Sequence, residues 1–335
     1  MTLSQFINKI KFKLWEFLVQ HTRNKSIYPF LYKSYWHYIF VKNKKNTADN
    51  TTCYFAARPN PSAGIGHQLS NWNAGYWFAK QFGLQFAHIP FSTQKWEDFL
   101  GFGECEKKMK DLVKSGYKIR KLPKFDEYKP QEVALTKAII QSYAGKKIVF
   151  LVEQDQGYID QYGVMEDIRQ KFSQAPARKN NQIVYNPSCF NIACHVRRGD
   201  IADEKQKNDP SYSQRWLNSD YFTTILSQLL KHIKTDKPIA VYLFSEGVQK
   251  DFLEFEQFPG IHFCLDMNAQ NTFLHMIYAD LLITSKSSFS YKPALMNDAI
   301  KICPRDFWHN YPNQPKWILA ENDGVFDVSL LSGLL

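Results

Sequence analysis

The chain has 335 residues, 44% hydrophobic and 22% charged, a balance that excludes an intrinsically disordered protein and leaves room for two domains of ordinary size. Its net charge of +10 is concentrated: residues 1–47 carry nine cations against the single acid Glu16, so the rest is nearly neutral, which argues against a nucleic-acid binder. No apolar run of about 18 residues is present to cross a membrane, and the N-terminus has no secretory signal pattern.

From Leu3 to Leu18 the apolar residues Leu3, Phe6, Ile7, Ile10, Leu14, Phe17 and Leu18 recur in steps of three and four. Lys9, Lys11 and Lys13 fall between them. The pattern predicts an amphipathic basic helix, and two readings of it stand: a helix lying on an anionic membrane, or one docked on its own domain. The aromatic run at 27–40 serves either, and residues 41–50 read as a polar linker.

After Thr51 a strand (51–58), a turn-rich loop (59–66), a helix ending at Gly83 and a second strand (84–91) give a βαβ unit. Residues 92–140 are charged and carry no clear period. KKIVFLVEQ (146–154) and QIVYNP (182–187) read as further strands around a helical segment. Strands follow at 191–196, 239–245, 261–266, 280–285 and 299–304. They alternate with helices opened by Ser219 or Asp220, near 248–257, and through Phe273, Leu274, Ile277 and Tyr278. Each strand is apolar on both faces, which predicts parallel sheets covered on both sides. The expected class is α/β, with a basic segment (1–47), a Rossmann-like domain (48–187), a second Rossmann-like domain (188–310) and a tail (311–335). Cys53, Cys105, Cys189, Cys194, Cys264 and Cys303 show no paired spacing; several sit inside apolar strand-like runs as expected of buried free thiols, and a reducing cytoplasm fits.

Ligands of parallel sheets bind at the carboxyl ends of strands. Arg197 and Arg198 stand at one such end, Ser245 and Glu246 at another, and Ser287, Ser288, Phe289 and Ser290 at a third. Paired guanidinium groups and a serine-rich helix start suit a diphosphate. A nucleotide leaving a sugar gains negative charge, which such donors can stabilise in place of a metal ion. Taken alone, the arginines could instead satisfy a buried carboxylate. His88, His262 and His275 lack ligand spacing, and Trp72, Tyr76 and Trp77 read as core.

HVRRGD (195–200) resembles the first motif of the superfamily that transfers fucose from GDP-fucose, which includes the α1,2-, α1,6- and protein-O-fucosyltransferases. YLFSEG (242–247) is similar to its second motif, with Glu246 where α1,2 members usually have Asp. The third motif resembles 279–297, although Tyr291 and Lys292 stand where paired tryptophans are usual. GIGHQLSNWNAGYWFAKQFG (64–83) resembles the N-terminal glycine motif of α1,2 members, with His67 for the usual Asn.

This resemblance implies a GT-B fold of two Rossmann-like domains facing across a cleft, inversion at the anomeric carbon, no metal, and no cofactor beyond GDP-fucose as co-substrate. It places Arg197 on the β-phosphate and sets His195, Arg198, Asp200, Ser245, Glu246, Ser287, Ser288, Phe289 and Ser290 around the donor. Asp266 and Thr272 lie in the guanine region. Asp203 or Glu204 is the expected base, and Gly64, Gly66, His67, Gln68 and Asn71 face donor or acceptor; His67 could instead cap its helix. The implied acceptor is a glycan or lipid-linked oligosaccharide, reached from the cytoplasm with the N-terminal helix on an anionic membrane. Two alternatives stay open: another nucleotide sugar on the same fold, or a non-catalytic protein that binds membrane or glycan.

Overall fold

Two parallel sheets form from the apolar runs that the sequence marks, as expected for the α/β class, and each belongs to its own unit. The structure, a computed structural model, describes residues 3–42, 52–60, 62–153, 158–201 and 214–334. The first unit comprises Met1–Pro59, Asn71–Pro90 and Cys105–Tyr158; the second comprises Asn60–Ser70, Phe91–Glu104 and Ile159–Leu335.

In chain order the first elements are α1 (Leu3–Thr22), α2 (Lys33–Val41), β1 (Tyr54–Arg58), α3 (Ile65–Gln81), β2 (Gln85–His88), α4 (Gln94–Leu100) and β3 (Lys107–Lys108). Next come α5 (Met109–Lys114), β4 (Lys118–Lys121), α6 (Pro130–Gln141), β5 (Ile148–Glu153) and α7 (Met165–Gln174). The rest are β6 (Phe190–His195), α8 (Ser219–His232), β7 (Ile239–Ser245), β8 (Ile261–Leu265), α9 (Ala269–Tyr278), β9 (Leu281–Ile283), α10 (Ser288–Met296), β10 (Ile300–Pro304) and β11 (Trp317–Ala320).

Among the described residues the first sheet has the order β3-β2-β1-β5-β4 and the second β11-β10-β9-β6-β7-β8, with every pairing parallel. In the second sheet Ile192, Cys194, Val241, Leu243, Leu281, Ile283 and Ile302 pack with Phe222, Ile225, Leu226 and Leu229 of α8. Burying each such side chain contributes roughly 1.5–3 kcal/mol. β11 adds a strand beyond residue 310.

Two sequence expectations need correction. Residues 182–187 form no ladder. Instead the Val184 N–H donates to His275 Nε2 (2.9 Å), and the Tyr185 hydroxyl donates to the His275 carbonyl (2.7 Å). The Asn186 N–H donates to the Tyr242 hydroxyl at 3.2 Å, so this stretch satisfies its polar groups on side chains and helix ends rather than on a neighbouring strand. The helix expected near 248–257 is a 3-10 segment, Gln249–Phe255, broken at Phe252.

At the N-terminus one face of α1 docks on its own unit and the other faces solvent. Trp15 and Val19 pack with Tyr28 and Tyr32, and the chain is tied down where the Lys124 N–H donates to the Tyr28 hydroxyl (2.8 Å) and Ser34 Oγ donates to the Lys121 carbonyl. The apolar stripe read from sequence stays outside: Phe6, Ile7, Ile10, Leu14, Phe17 and Leu18 are all exposed, Leu14 by 58%. No helix among the described residues is long and apolar enough to cross a membrane. All six cysteines are free.

Candidate active site

The second sheet reverses its winding between β6 and β9. From β6 the chain steps outward to β7 and β8; it then returns to β9 on the other side and steps out to β10 and β11. At such a reversal the carboxyl ends of the two central strands diverge and leave a crevice, the place where open parallel sheets take their ligands. His195 to Asp200 leave β6 there, and Thr284 to Ser290 leave β9.

Ser285 joins the two. Its Oγ donates to the His195 carbonyl at 2.5 Å and accepts the Arg197 N–H at 2.9 Å. Ser287 then caps α10, its Oγ accepting the Phe289 N–H, and Ser290 Oγ closes the turn on Ser285. The far end of α10 is also fixed. Arg169 donates to the Leu295 and Asn297 carbonyls, and the Asn297 amide donates to the carbonyls of Met276, Ile277 and Ala279 at the end of α9. Both helices are thereby held by the polar groups their last turns leave open.

The two arginines differ. Arg197 is half-buried and its backbone is held by Ser285. The Arg198 guanidinium donates to the carbonyls of Arg197 (2.9 Å) and Leu217 (3.2 Å) and to Ser219 Oγ (3.3 Å), and it lies 4.2 Å from the centre of the Trp216 ring. Burial lowers its pKa to about 10, so it remains charged at neutral pH. Arg198 therefore builds the turn that leads to α8.

Gly199 has φ +52°, and a Cβ there would overlap the Glu246 carboxylate, so the glycine lets the β6 and β7 loops close on each other. Asp200 follows in the short turn Gly199–Ile201. Ser245 ends β7, its Oγ donating to the Glu246 carbonyl at 3.3 Å. Asp266, exposed at the end of β8, accepts the Gly247 N–H at 3.3 Å. Thr272 is buried, and its hydroxyl donates to the Met267 carbonyl at 3.4 Å.

His195 is buried, and its Nδ1 has no hydrogen-bond partner. Burial first, and then the charge of Arg197, lowers its pKa to about 3. The ring is neutral at physiological pH, able to exchange one hydrogen bond with a ligand and unable to supply a positive charge.

The N-terminal glycine motif reaches the same place. A Cβ on Gly66 would stand 2.6 Å from the Ser288 carbonyl carbon and 2.8 Å from the Phe289 nitrogen, so the first turn of α3 touches the first turn of α10 through glycine alone. Gln68 holds this turn: its amide nitrogen donates to the Ala63 carbonyl and Ser92 Oγ, and its oxygen accepts the Ser92 N–H. Gly64 and His67 are exposed, Gly64 with nothing near its Cβ position. Asn71 is buried and belongs to the first unit. Asp203 and Glu204 lie outside the described residues.

No family model and no curated protein matches the chain. Among solved structures it is similar to the fucosyltransferase NodZ from Bradyrhizobium, with 10% identity and a TM-score of 0.42 over 79% of this chain and 97% of that one. It is also similar to a mutant of Arabidopsis thaliana FUT1 in complex with GDP (9%, TM-score 0.41, 80% of this chain and 73% of that one). A third is POFUT1 in complex with GDP (12%, TM-score 0.41, 82% of this chain and 99% of that one). Identities and scores this low fix no chemistry, which rests on the residues of the site.

Three residues here have no counterpart among those selected from sequence: Ser285, Trp308 and His309. Ser285 closes the strand expected at 280–285. Trp308, 43% exposed, donates from Nε1 to Ser288 Oγ at 3.3 Å, and the neighbouring His309 Nε2 lies 3.4 Å from Ser70 Oγ. Both follow β10, so the rule that points to strand ends applies to them as well.

Proposed function

We propose that the chain is an inverting glycosyltransferase that moves fucose from GDP-fucose to a glycan hydroxyl, without a metal ion and in α1,2 linkage. One observation carries the reading: the winding reversal sets HVRRGD beside the serine-rich start of α10, with Gly66 of the N-terminal motif pressed on Ser288. Departure of GDP puts negative charge on the β-phosphate. Arg197 and, at the opening of α10, the N–H and hydroxyl of Ser288 are the donors to receive it. Arg198 keeps the Arg197 turn in shape, His195 offers Nδ1, and Asp266 takes the guanine. Asp203 or Glu204 removes the acceptor proton on the opposite face.

The departures from the α1,2 pattern at Tyr291 and Lys292 fall on buried positions. Tyr291 packs among Phe307, His309, Tyr311 and Trp317, and Lys292 Nζ donates to Gln161 Oε1 at 2.8 Å. They repack the covered side of α10 and leave Ser287 and Ser288 unchanged. The acceptor is a glycan or lipid-linked oligosaccharide, and the exposed stripe of α1 with its lysines holds the enzyme at the cytoplasmic face of an anionic membrane.

Calorimetry against GDP, UDP and dTDP, together with GDP-fucose hydrolysis by wild type and Arg197→Ala, tests this. GDP should bind selectively, and Arg197→Ala should lose about a hundredfold in rate, near 3 kcal/mol, as for removal of one oxyanion donor. A chain that binds UDP and ignores GDP sinks the donor assignment. Equal turnover by both proteins sinks the phosphate clamp.

A further inference from the structure

A second cationic site lies wholly within the first unit. A cavity of about 430 Å³ is lined by Lys33 and His37 of α2, Lys118 and Arg120 of β4, and Tyr143, Lys146 and Lys147 before β5. This size falls within the range of about 300–1,000 Å³ typical of small-ligand pockets. Lys118 and Arg120 share a face of β4 by strand alternation, and Lys33 and His37 share a face of α2 at a spacing of four.

Five cations thus converge, and among the described residues no acid lines the cavity. Among the described residues none of the five forms an ion pair with a carboxylate. His37 adds no charge: burial, then Lys146 and Arg120, lowers its pKa. Its Nε2 lies 3.1 Å from the Ser142 carbonyl oxygen and 3.3 Å from Lys146 Nζ. β4 is an edge strand, and lysines on an edge guard against aggregation. That role accounts for Lys118 but not for Lys33, Lys146 and Lys147 turning towards it from two other segments. Gathering like charges costs energy, which a bound anion relieves.

The surroundings indicate which anion. Phe40, three residues beyond His37 on the same face of α2, is 76% exposed, and Trp36 stacks on it with ring centres 6.4 Å apart. Phe30 and Ile27 are exposed in the segment just before α2. Exposed aromatic side chains beside a cationic pocket suit the boundary between lipid headgroups and acyl chains.

We propose that this pocket binds the phosphate-bearing headgroup of an anionic membrane lipid, with Trp36 and Phe40 against the acyl region. It deepens the membrane reading of α1 and rests on it only for the source of the phosphate. The test uses the full chain, the pair Lys118→Glu with Arg120→Glu, and a separate α1 variant, Leu14→Ser with Phe17→Ser. Each is sedimented with phosphatidylglycerol–phosphatidylcholine vesicles and titrated with dihexanoylphosphatidylglycerol below its micelle concentration.

The wild type should bind the soluble lipid, and the pocket variant should bind it more than tenfold less tightly while GDP binding is unchanged. The milder pair Lys118→Gln with Arg120→Gln serves if charge reversal prevents folding. If the α1 variant loses vesicles yet keeps the soluble lipid, the pocket stands and α1 supplies the anchor. If it keeps vesicles while the pocket variant loses them, the pocket stands and the reading of α1 falls. A pocket variant that binds the soluble lipid like wild type overturns the proposal. So does inorganic phosphate or glycerol 3-phosphate binding as tightly as the lipid, which would make this a site for soluble anions.

Discussion

The carboxyl edge of the second sheet and the pocket of the first unit both collect positive charge, and they hold it differently. At the sheet edge Arg198 is fixed by two carbonyls, a serine hydroxyl and an indole face, and the Arg197 backbone is clamped by Ser285. In the pocket Lys33, Lys118, Arg120, Lys146 and Lys147 carry their charge on long side chains with no carboxylate partner among the described residues. Rigid donors with set directions select one geometry of ligand; cations on flexible stems select charge and leave shape to the aromatic side chains beside them. The first arrangement suits a transition state and the second a surface.

The comparison breaks most readily at Arg198. Arg198→Ala should lower stability by about 3 kcal/mol, since hydrogen bonds to a charged group contribute roughly 1.5–3 kcal/mol each, and urea unfolding measures it. Arg198→Lys should recover less than half, because a point charge cannot reach all three oxygens. Unchanged stability in both would show that the turn does not need its guanidinium. Next is Gly66→Val, whose added carbons meet the Ser288 backbone. About 2 kcal/mol of stability and at least tenfold in GDP affinity should be lost, as overpacking typically costs about 1–3 kcal/mol. A variant that binds GDP normally would separate the glycine motif from the donor site.

A smaller effect concerns acid. His309 is pushed down to about 2 by burial and then by Lys292 and His67, and His195 to about 3. Unfolded histidines titrate near 6.5, so between that value and the folded ones the unfolded chain holds more protons. The stability from keeping these rings neutral is complete above about pH 6.5 and falls below it by about 1.4 kcal/mol per pH unit for each ring. His309→Gln should flatten the acid limb by that slope in denaturant midpoints at pH 7, 6 and 5; an unaltered limb would mean that the ring takes up its proton without unfolding. Smallest is the response to salt. Raising it from about 0.05 to 0.5 M should weaken vesicle binding more than GDP binding, since exposed charges are screened and enclosed ones are not. Equal weakening would erase the contrast.

Much of this was legible in the residues. Strands such as β6 and β7 are apolar on both faces and end at conspicuous chemistry, so their place and their ends could be read directly. β4, with the sequence KIRK, could not: an edge strand has no need of the apolar signature of a central one. The part played by Arg198 is hidden because its partners, Leu217 and Ser219, lie about twenty residues on, at the start of α8. Gly66 alone reads as a turn, and only the motif resemblance sets it at the donor or acceptor; nothing local announces that Ser288 lies against it.

That last contact bears on how the molecule could be taken apart. A fragment starting at residue 188 would keep the arginines and the serines yet leave the backbone at Ser288 bare to water, because the piece that covers it comes from Asn60–Ser70. Anyone grafting this strand-end platform onto a foreign scaffold must carry that short early segment along with it.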